Sequence, residues 1–226
     1  MRMVLLIAAK EVRHGLNSRF AYLLVLIFTL TLPIPVFWSN GASNVFLNGQ
    51  ANLNPFFAAL PLFLMIFVPA LAMHAWAAER GAGTLELLLS YPIREHELVL
   101  GKFLGNYLVC VACLLSTLMV PFLVAGLGNL DPGPVIGGYL GALLLAGACL
   151  AICLFVGSFT RNHITAFILG ILVLAALMFV SLPELNLHGR FVSVARGVLD
   201  TRDLVFYGCV TCLFLYLNVL RLKLGR

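Results

Sequence analysis

Six cysteines, five histidines and a Gly-Lys dipeptide are the residues whose chemistry could define an activity. The cysteines fall in three pairs, Cys110/Cys113, Cys149/Cys153 and Cys209/Cys212, at spacings that put both thiols on one face of a helix. Zinc or a redox disulfide would need polar groups behind the ligands; each pair sits in an apolar run that lacks them, so the thiols read as small packing side chains. His96-Glu97 opens like a zinc-protease motif, but Leu98, Val99 and Leu100 follow and the second histidine is missing. Haem or copper would need facing ligands at membrane depth. Only His74 lies well inside an apolar run, near its end, where a helix-end polar contact fits better than ligation; His14, His96, His163 and His188 fall in connectors or at interfaces. Gly101-Lys102 is followed by Phe103, and His96 stands where the first glycine of a phosphate loop belongs. No crossing carries paired carboxylates for proton transfer. The chain reads as no enzyme, with no catalytic residue, metal or cofactor of its own.

The elements that must position these residues are set by composition. Of 226 residues 62% are hydrophobic and 10% charged, and the mean hydropathy is +1.06. These values exclude a water-soluble enzyme and, with 17 Phe, a disordered chain. A crossing takes about 20 apolar residues, which leaves room for roughly five to seven and no large soluble domain. Six charge-free runs stand out: Phe20–Trp38, Phe56–Ala78, Phe103–Gly128, Pro134–Phe159, Ile164–Leu182 and Leu204–Leu220. Leu5, Leu6, Ala9, Val12 and Leu16 share a face before the first run, so residues 1–19 predict an interfacial helix rather than a cleaved leader. Six crossings place Arg2, Lys10, Arg13, Arg19, Arg80, Arg94, Lys102, Arg161, Arg221, Lys223 and Arg226 on one side, against Arg190, Arg196 and Arg202 on the other. The positive-inside rule then makes both termini cytoplasmic. The net charge of +5 is thereby a matter of topology and implies no nucleic acid.

Two connectors exceed what a joint needs. In residues 79–102, Gly81 and Gly83 turn the chain out of the membrane, Thr84 is placed to cap a short helix through Leu89, Glu86 suits its first turn, and Pro92 ends it. Its leucines, Leu85, Leu88 and Leu89, admit two readings: a helix that receives force from a partner, or a hairpin packed on its own bundle. In residues 183–203, Phe191, Val194, Ala195, Val198 and Leu199 recur at helical spacing among Arg190, Arg196, Asp200, Arg202 and Asp203. That segment either caps a pathway or lies in the headgroups with its charges paired to one another, and pairing is the simpler reading. Gly137-x-x-x-Gly141 offers close helix packing, within the subunit or to a second one. Pro33, Pro35 and Pro121 are placed to bend the first and third crossings. Asn106, Tyr107, Ser116, Thr117, Thr211 and Asn218 either line a path or join helices, joining being favoured.

Glu79-Arg80, Gly83-Thr84-x-Glu86-x-Leu88-Leu89, Pro92, Glu97 and Gly101-Lys102 together resemble the internal segment of ABC type-2 permeases. Arg196-Gly197-Val198-Leu199-Asp200-x-Arg202-Asp203 is similar to the terminal signature of the gliding-motility-type subunits, although Val194-Ala195 stands where that subgroup often has Phe-Ser. The likeness runs from about Phe56 to the C-terminus.

The resemblance implies an all-α polytopic membrane protein: a single permease domain over 1–226, with six transmembrane helices and an N-terminal interfacial helix. A cytoplasmic coupling helix lies between helices 2 and 3, and short external helices precede helix 6, as in type V exporters. It implies coupling to an ATPase through Glu79, Arg80, Gly83, Thr84, Leu85, Glu86, Leu88, Leu89 and Pro92. It also implies an external gate of Phe191, Arg196, Gly197, Asp200, Arg202 and Asp203. The implied partners are a pair of cytoplasmic ATPases that bind ATP and Mg, a second permease subunit, and a membrane protein with an extracytoplasmic domain, in a bacterial inner membrane. Apolar crossings without a charged pocket fit a lipidic or amphiphilic cargo without naming one. A membrane enzyme, a haem or metal carrier, and a non-transporting anchor are the competing classes.

Overall fold

A computed structural model describes residues 2–38, 53–81, 83, 94–128, 130–180, 186–195 and 200–224. These form helices α1 (Arg2–Asn17), α2 (Arg19–Thr31), α3 (Ile34–Phe37), α4 (Asn54–Gly81), α5 (Glu95–Ser116), α6 (Met119–Leu127), α7 (Pro132–Gly157), α8 (His163–Met178), α9 (Leu187–Ala195) and α10 (Thr201–Leu224). No strand occurs among the described residues.

Four of these elements are long and apolar enough to cross a bilayer: α4, α5 with α6, α7, and α10. The 28 residues of α4 span about 42 Å, more than the roughly 30 Å of hydrocarbon, so its ends emerge. The helix persists through Pro61 and Pro69. Each proline withholds an N–H, and the loss is tolerated where neighbouring helices shield the freed carbonyl. Pro69 is packed against Gly170 of α8, where an added Cβ would stand 3.1 Å from the proline ring. Two shorter apolar stretches, Ala21–Phe37 and His163–Met178, are about 25 Å long or slightly less.

The expected crossings and the observed helices differ at their margins. The first expected run is divided between α2 and α3 at Leu32-Pro33, with Thr31 Oγ1 donating back to the Ile27 carbonyl at 2.6 Å. The third begins at Glu95, eight residues before the apolar run, and breaks at Thr117-Leu118. There Ser116 and Thr117 donate their hydroxyls to the carbonyls of Cys113 and Leu114, and Pro121 supplies no N–H to restore the ladder. Asp131 caps α7 by accepting from the Gly133 N–H at 3.1 Å.

At the centre stands α7. From Ala142 to Leu154 only Leu143 and Leu144 escape full burial, so the helix is apolar all round and is wrapped by α4, α5, α8, α9 and α10. Cys110, Cys113, Cys149 and Cys153 are buried free thiols in this core, while Cys209 and Cys212 are exposed. The glycines of α7 admit neighbours closely. Gly137 is buried, Gly138 receives the Phe57 ring, and Gly141 receives Val194 and Phe191 of α9. By contrast α10 covers little of itself; Val205, Leu213 and Tyr216 are exposed along it.

Gly138→Val should lower stability by about 1–3 kcal/mol, because its Cβ would overlap the buried Phe57 ring, which must shift. Gly126→Val, where nothing lies within 4 Å of an added Cβ, should change it by less than about 0.5 kcal/mol. Thermal unfolding of the two variants in the same detergent checks the difference.

Candidate functional site

The internal segment of residues 79–102 is visible at its two ends. Helix α4 ends at Gly81, and Gly83 adopts φ +67°, a left-handed conformation open to glycine. Its N–H bonds the Arg80 carbonyl at 3.3 Å. Thr84, Leu85, Glu86, Leu88, Leu89 and Pro92 lie outside the described residues, as do the expected cap and leucine stripe.

At the other end Lys102 lies about two helical turns into α5 and is 1% exposed. Its ammonium donates to Glu79 Oε1 at 2.8 Å, to Glu11 Oε1 at 3.1 Å and to the Ala75 carbonyl at 2.6 Å. All three of its donors are thereby used, and it stands 5.0 Å from the centroid of the Trp76 ring. Glu79 and Lys102 bracket the internal segment, so their ion pair closes it at the base. Glu11 ties α1 to the same point.

Glycines make that tie possible. The largest interhelical contact in the fold is α1 on α5. A Cβ on Gly101 would stand 2.7 Å from Ile7, and one on Gly105 would stand 2.5 Å from the Glu11 Cβ. With no side chain at either position, α1 approaches until the Glu11 carboxylate reaches Lys102. Asn106 adds a bond from its amide to the Lys102 carbonyl at 2.9 Å. The Glu11 and Glu79 side chains that meet about this ammonium keep 13% and 17% exposure.

Sequence reasoning placed Lys102 among the charges at the membrane face and did not find this junction. The available signals were Gly101-Lys102-x-x-Gly105 at the start of a crossing and one acid, Glu11, amid a basic interfacial helix.

Next to the junction, Glu11, His14, Ser18, Leu71, His74 and Asn106 belong to the lining of a cavity of about 340 Å³ between α1, α4 and α5. His74 faces His163 across α4 and α8, with ring centroids 4.8 Å apart.

At the opposite end of the bundle, α9 buries Leu187, Phe191, Val194 and Ala195. Arg190 pairs with Asp203 at 2.9 Å and stacks over Phe206 at 4.3 Å, while the Tyr207 hydroxyl donates to the Leu187 carbonyl at 2.8 Å. Of the expected gate residues, Phe191 and Asp203 meet in this cluster. Asp200 caps α10 by accepting from the Arg202 N–H at 3.0 Å, and Arg202 is exposed. Arg196 and Gly197 lie outside the described residues. The partner of Asp203 is Arg190, which the gate set omitted.

The polar groups between the two ends mostly join helices. Tyr107 donates to the Leu143 carbonyl at 3.2 Å, Thr117 meets the Tyr139 hydroxyl at 3.1 Å, and Thr29 meets Ser116 at 2.8 Å. Thr211 bonds its own helix at Tyr207. Asn218 is fully buried, and neither of its amide atoms has a partner among the described residues.

An apolar multi-helix bundle, four of whose described elements are long enough to cross a bilayer, defines a polytopic membrane protein. The chain belongs to the ABC-2 family of transporter proteins, whose sequence pattern matches residues 5–185. It is similar to a probable ABC transporter permease protein NosY of Pseudomonas aeruginosa, 36% identical over 116 residues, covering 48% of this chain and 40% of that protein. A protein of the same description from Stutzerimonas stutzeri is 32% identical over 138 residues, or 56% of this chain and 48% of its own length. The chain thus spans less than half the length of each of these two relatives.

Lys102→Met should destabilise the protein by about 3 kcal/mol, since it leaves two partly buried carboxylates without their cation. At 2–4 °C per kcal/mol that is a fall of about 10 °C in apparent Tm. The triple variant Glu11→Gln/Glu79→Gln/Lys102→Met should regain more than half of the loss. A triple variant no more stable than Lys102→Met would show that the charges are not what holds the junction.

Proposed function

We propose that this chain is the transmembrane permease subunit of an ATP-binding cassette exporter, moved by separate ATPase subunits that grip residues Thr84–Leu89. The observation that carries this reading is the closure of residues 79–102 by Glu79–Lys102, with α1 pinned to the same ammonium. A push on a segment closed at its base turns α4, α5 and α1 together; an open loop would absorb it. Family membership supports the transporter class, and the names of the two relatives support a permease role.

In this reading Ala21–Phe37 and His163–Met178 complete six crossings, with tilt or local thinning of the bilayer offsetting their shortness. The end of the bundle that holds α1 and the C-terminal part of α10 faces the cytoplasm of a bacterial inner membrane, as the basic residues there favour. Two subunits enclose the pathway, and two ATPases bind ATP and Mg. ATP binding shifts the population between inward- and outward-open bundles through unequal contact with Thr84–Leu89 in the two states. The Phe191–Asp203 region caps the outer end. The gliding-motility-type likeness of Arg196–Asp203 favours an additional membrane partner with an extracytoplasmic domain.

The test is to co-purify the complex and compare it with Glu86→Ala and Leu88→Asp. Both should insert normally by cysteine labelling and lose partner-dependent ATP hydrolysis or ATPase retention by on the order of tenfold, the equivalent of one strong interface contact. Full coupling in both variants would sink the proposal. A haem band or stoichiometric metal in the purified chain would favour the carrier reading, and indifference to the ATPase would favour the anchor.

A further inference from the structure

Three arginines gather at the α1 end of the bundle and have no counter-ion among the described residues. Arg80 closes α4, Arg161 lies in the turn between α7 and α8, and Arg221 lies in the last turns of α10. Arg80 stands in the repulsive field of both others, and the site of a Cβ on Gly81 is 3.4 Å from the Arg161 carbonyl. The Arg221 guanidinium lies 5.0 Å over the Phe159 ring. The Nε atoms of Arg80 and Arg221 are buried and have no hydrogen-bond partner among the described residues. The ion pairs among the described residues engage Lys102 with Glu11 and Glu79, and Arg190 with Asp203, and none reaches these three. Between α4 and the α7–α8 turn runs an open groove of about 500 Å³, lined in part by Gly81, Arg161, Asn162 and Thr165. Ile164, also in its lining, is 72% exposed, and Phe159, in the turn between α7 and α8, is 52% exposed.

We propose that this groove and the basic residues around it bind the phosphate of an anionic phospholipid, with Arg161 inside the groove, Arg80 and Arg221 outside its lining as further cationic contacts, and Ile164 and Phe159 against the acyl chain. Orphaned guanidinium donors call for an oxygen anion, and phosphate matches their fork. The exposed ring and isoleucine decide what carries the anion. An acidic face of a partner protein would leave them without apolar cover, whereas a lipid supplies charge and hydrocarbon from one molecule at the depth where a crossing ends. The proposal stands apart from the transport reading and needs only the membrane placement.

The full chain, with any partner that co-purifies, is taken in neutral detergent and titrated with phosphatidylglycerol, with phosphatidylcholine of matched chains and with inorganic phosphate. Bound lipid is read by native mass spectrometry. Phosphatidylglycerol should bind at least fivefold more tightly than phosphatidylcholine. Arg161→Gln should cost roughly fivefold in phosphatidylglycerol affinity, and Arg161→Gln/Arg221→Gln roughly twentyfold or more. If the double variant does not fold, the exposed single substitution decides. Equal affinity for the two lipids, or unchanged affinity in Arg161→Gln, overturns the proposal. So does displacement of the lipid by millimolar inorganic phosphate, which would mark a free-phosphate site. Loss of a bound ATPase with lipid affinity intact would assign the arginines to an acidic protein face and overturn it as well.

Discussion

An ammonium ion taken out of water has to be met on every donor, and the arrangement around Lys102 follows from that demand. The desolvation penalty is several kcal/mol per ion, larger than any single packing contact in the bundle. It is met by three oxygens drawn from two other helices, Glu11 from α1 and Glu79 with the Ala75 carbonyl from α4. Each oxygen fixes the helix that carries it. Uncharged residues at positions 11, 79 and 102 together would pack at less electrostatic cost, but they would not set the direction from which α1 and α4 approach. The ion cluster is therefore better understood as fixing geometry than as adding stability.

The rest of the bundle is held more loosely. Between its ends the helices share isolated hydroxyl bonds such as Thr29 with Ser116 and Thr117 with Tyr139, each worth well under about 2 kcal/mol within a membrane. The small residues of α7 pack without polar commitment, and only the Arg190–Asp203 pair marks the far end strongly. Firm ends with a weakly cross-linked middle suit helices that must change their mutual tilt while keeping their partners.

Much of the architecture was legible because burial in lipid leaves a simple trace. Apolar runs marked the four elements long enough to cross a bilayer and two shorter apolar helices, and the 3.6-residue recurrence of Phe191, Val194 and Ala195 marked α9, whose buried face they form. Helix limits were less legible: Glu95 and Glu97 read as the start of the third crossing, where α5 does begin, but the apolar run itself starts only at Phe103. The break at Thr117 needed the hydroxyl-to-carbonyl bonds of two adjacent residues, which hydropathy does not register. Pro61 and Pro69 show the reverse: residues that ordinarily interrupt a helix sit inside α4 without doing so. Least legible was the junction. Lys102 reads as one more interfacial cation until Glu11 is brought beside it, and no local pattern reports a partner so remote. The glycine pair at 101 and 105 becomes informative only once α1 is known to lie there.

That remoteness has a consequence for synthesis. Glu11 precedes Lys102 by 91 residues, so at about 5–20 residues per second the ribosome delivers the cation roughly 5 to 20 s after the acid. During that interval the amphipathic α1 has no Lys102 ammonium to meet, and its carboxylate is left to water. The helix seats once both Glu79 and Lys102 have been made, which makes biogenesis ordered: α1 is synthesised well before it is locked.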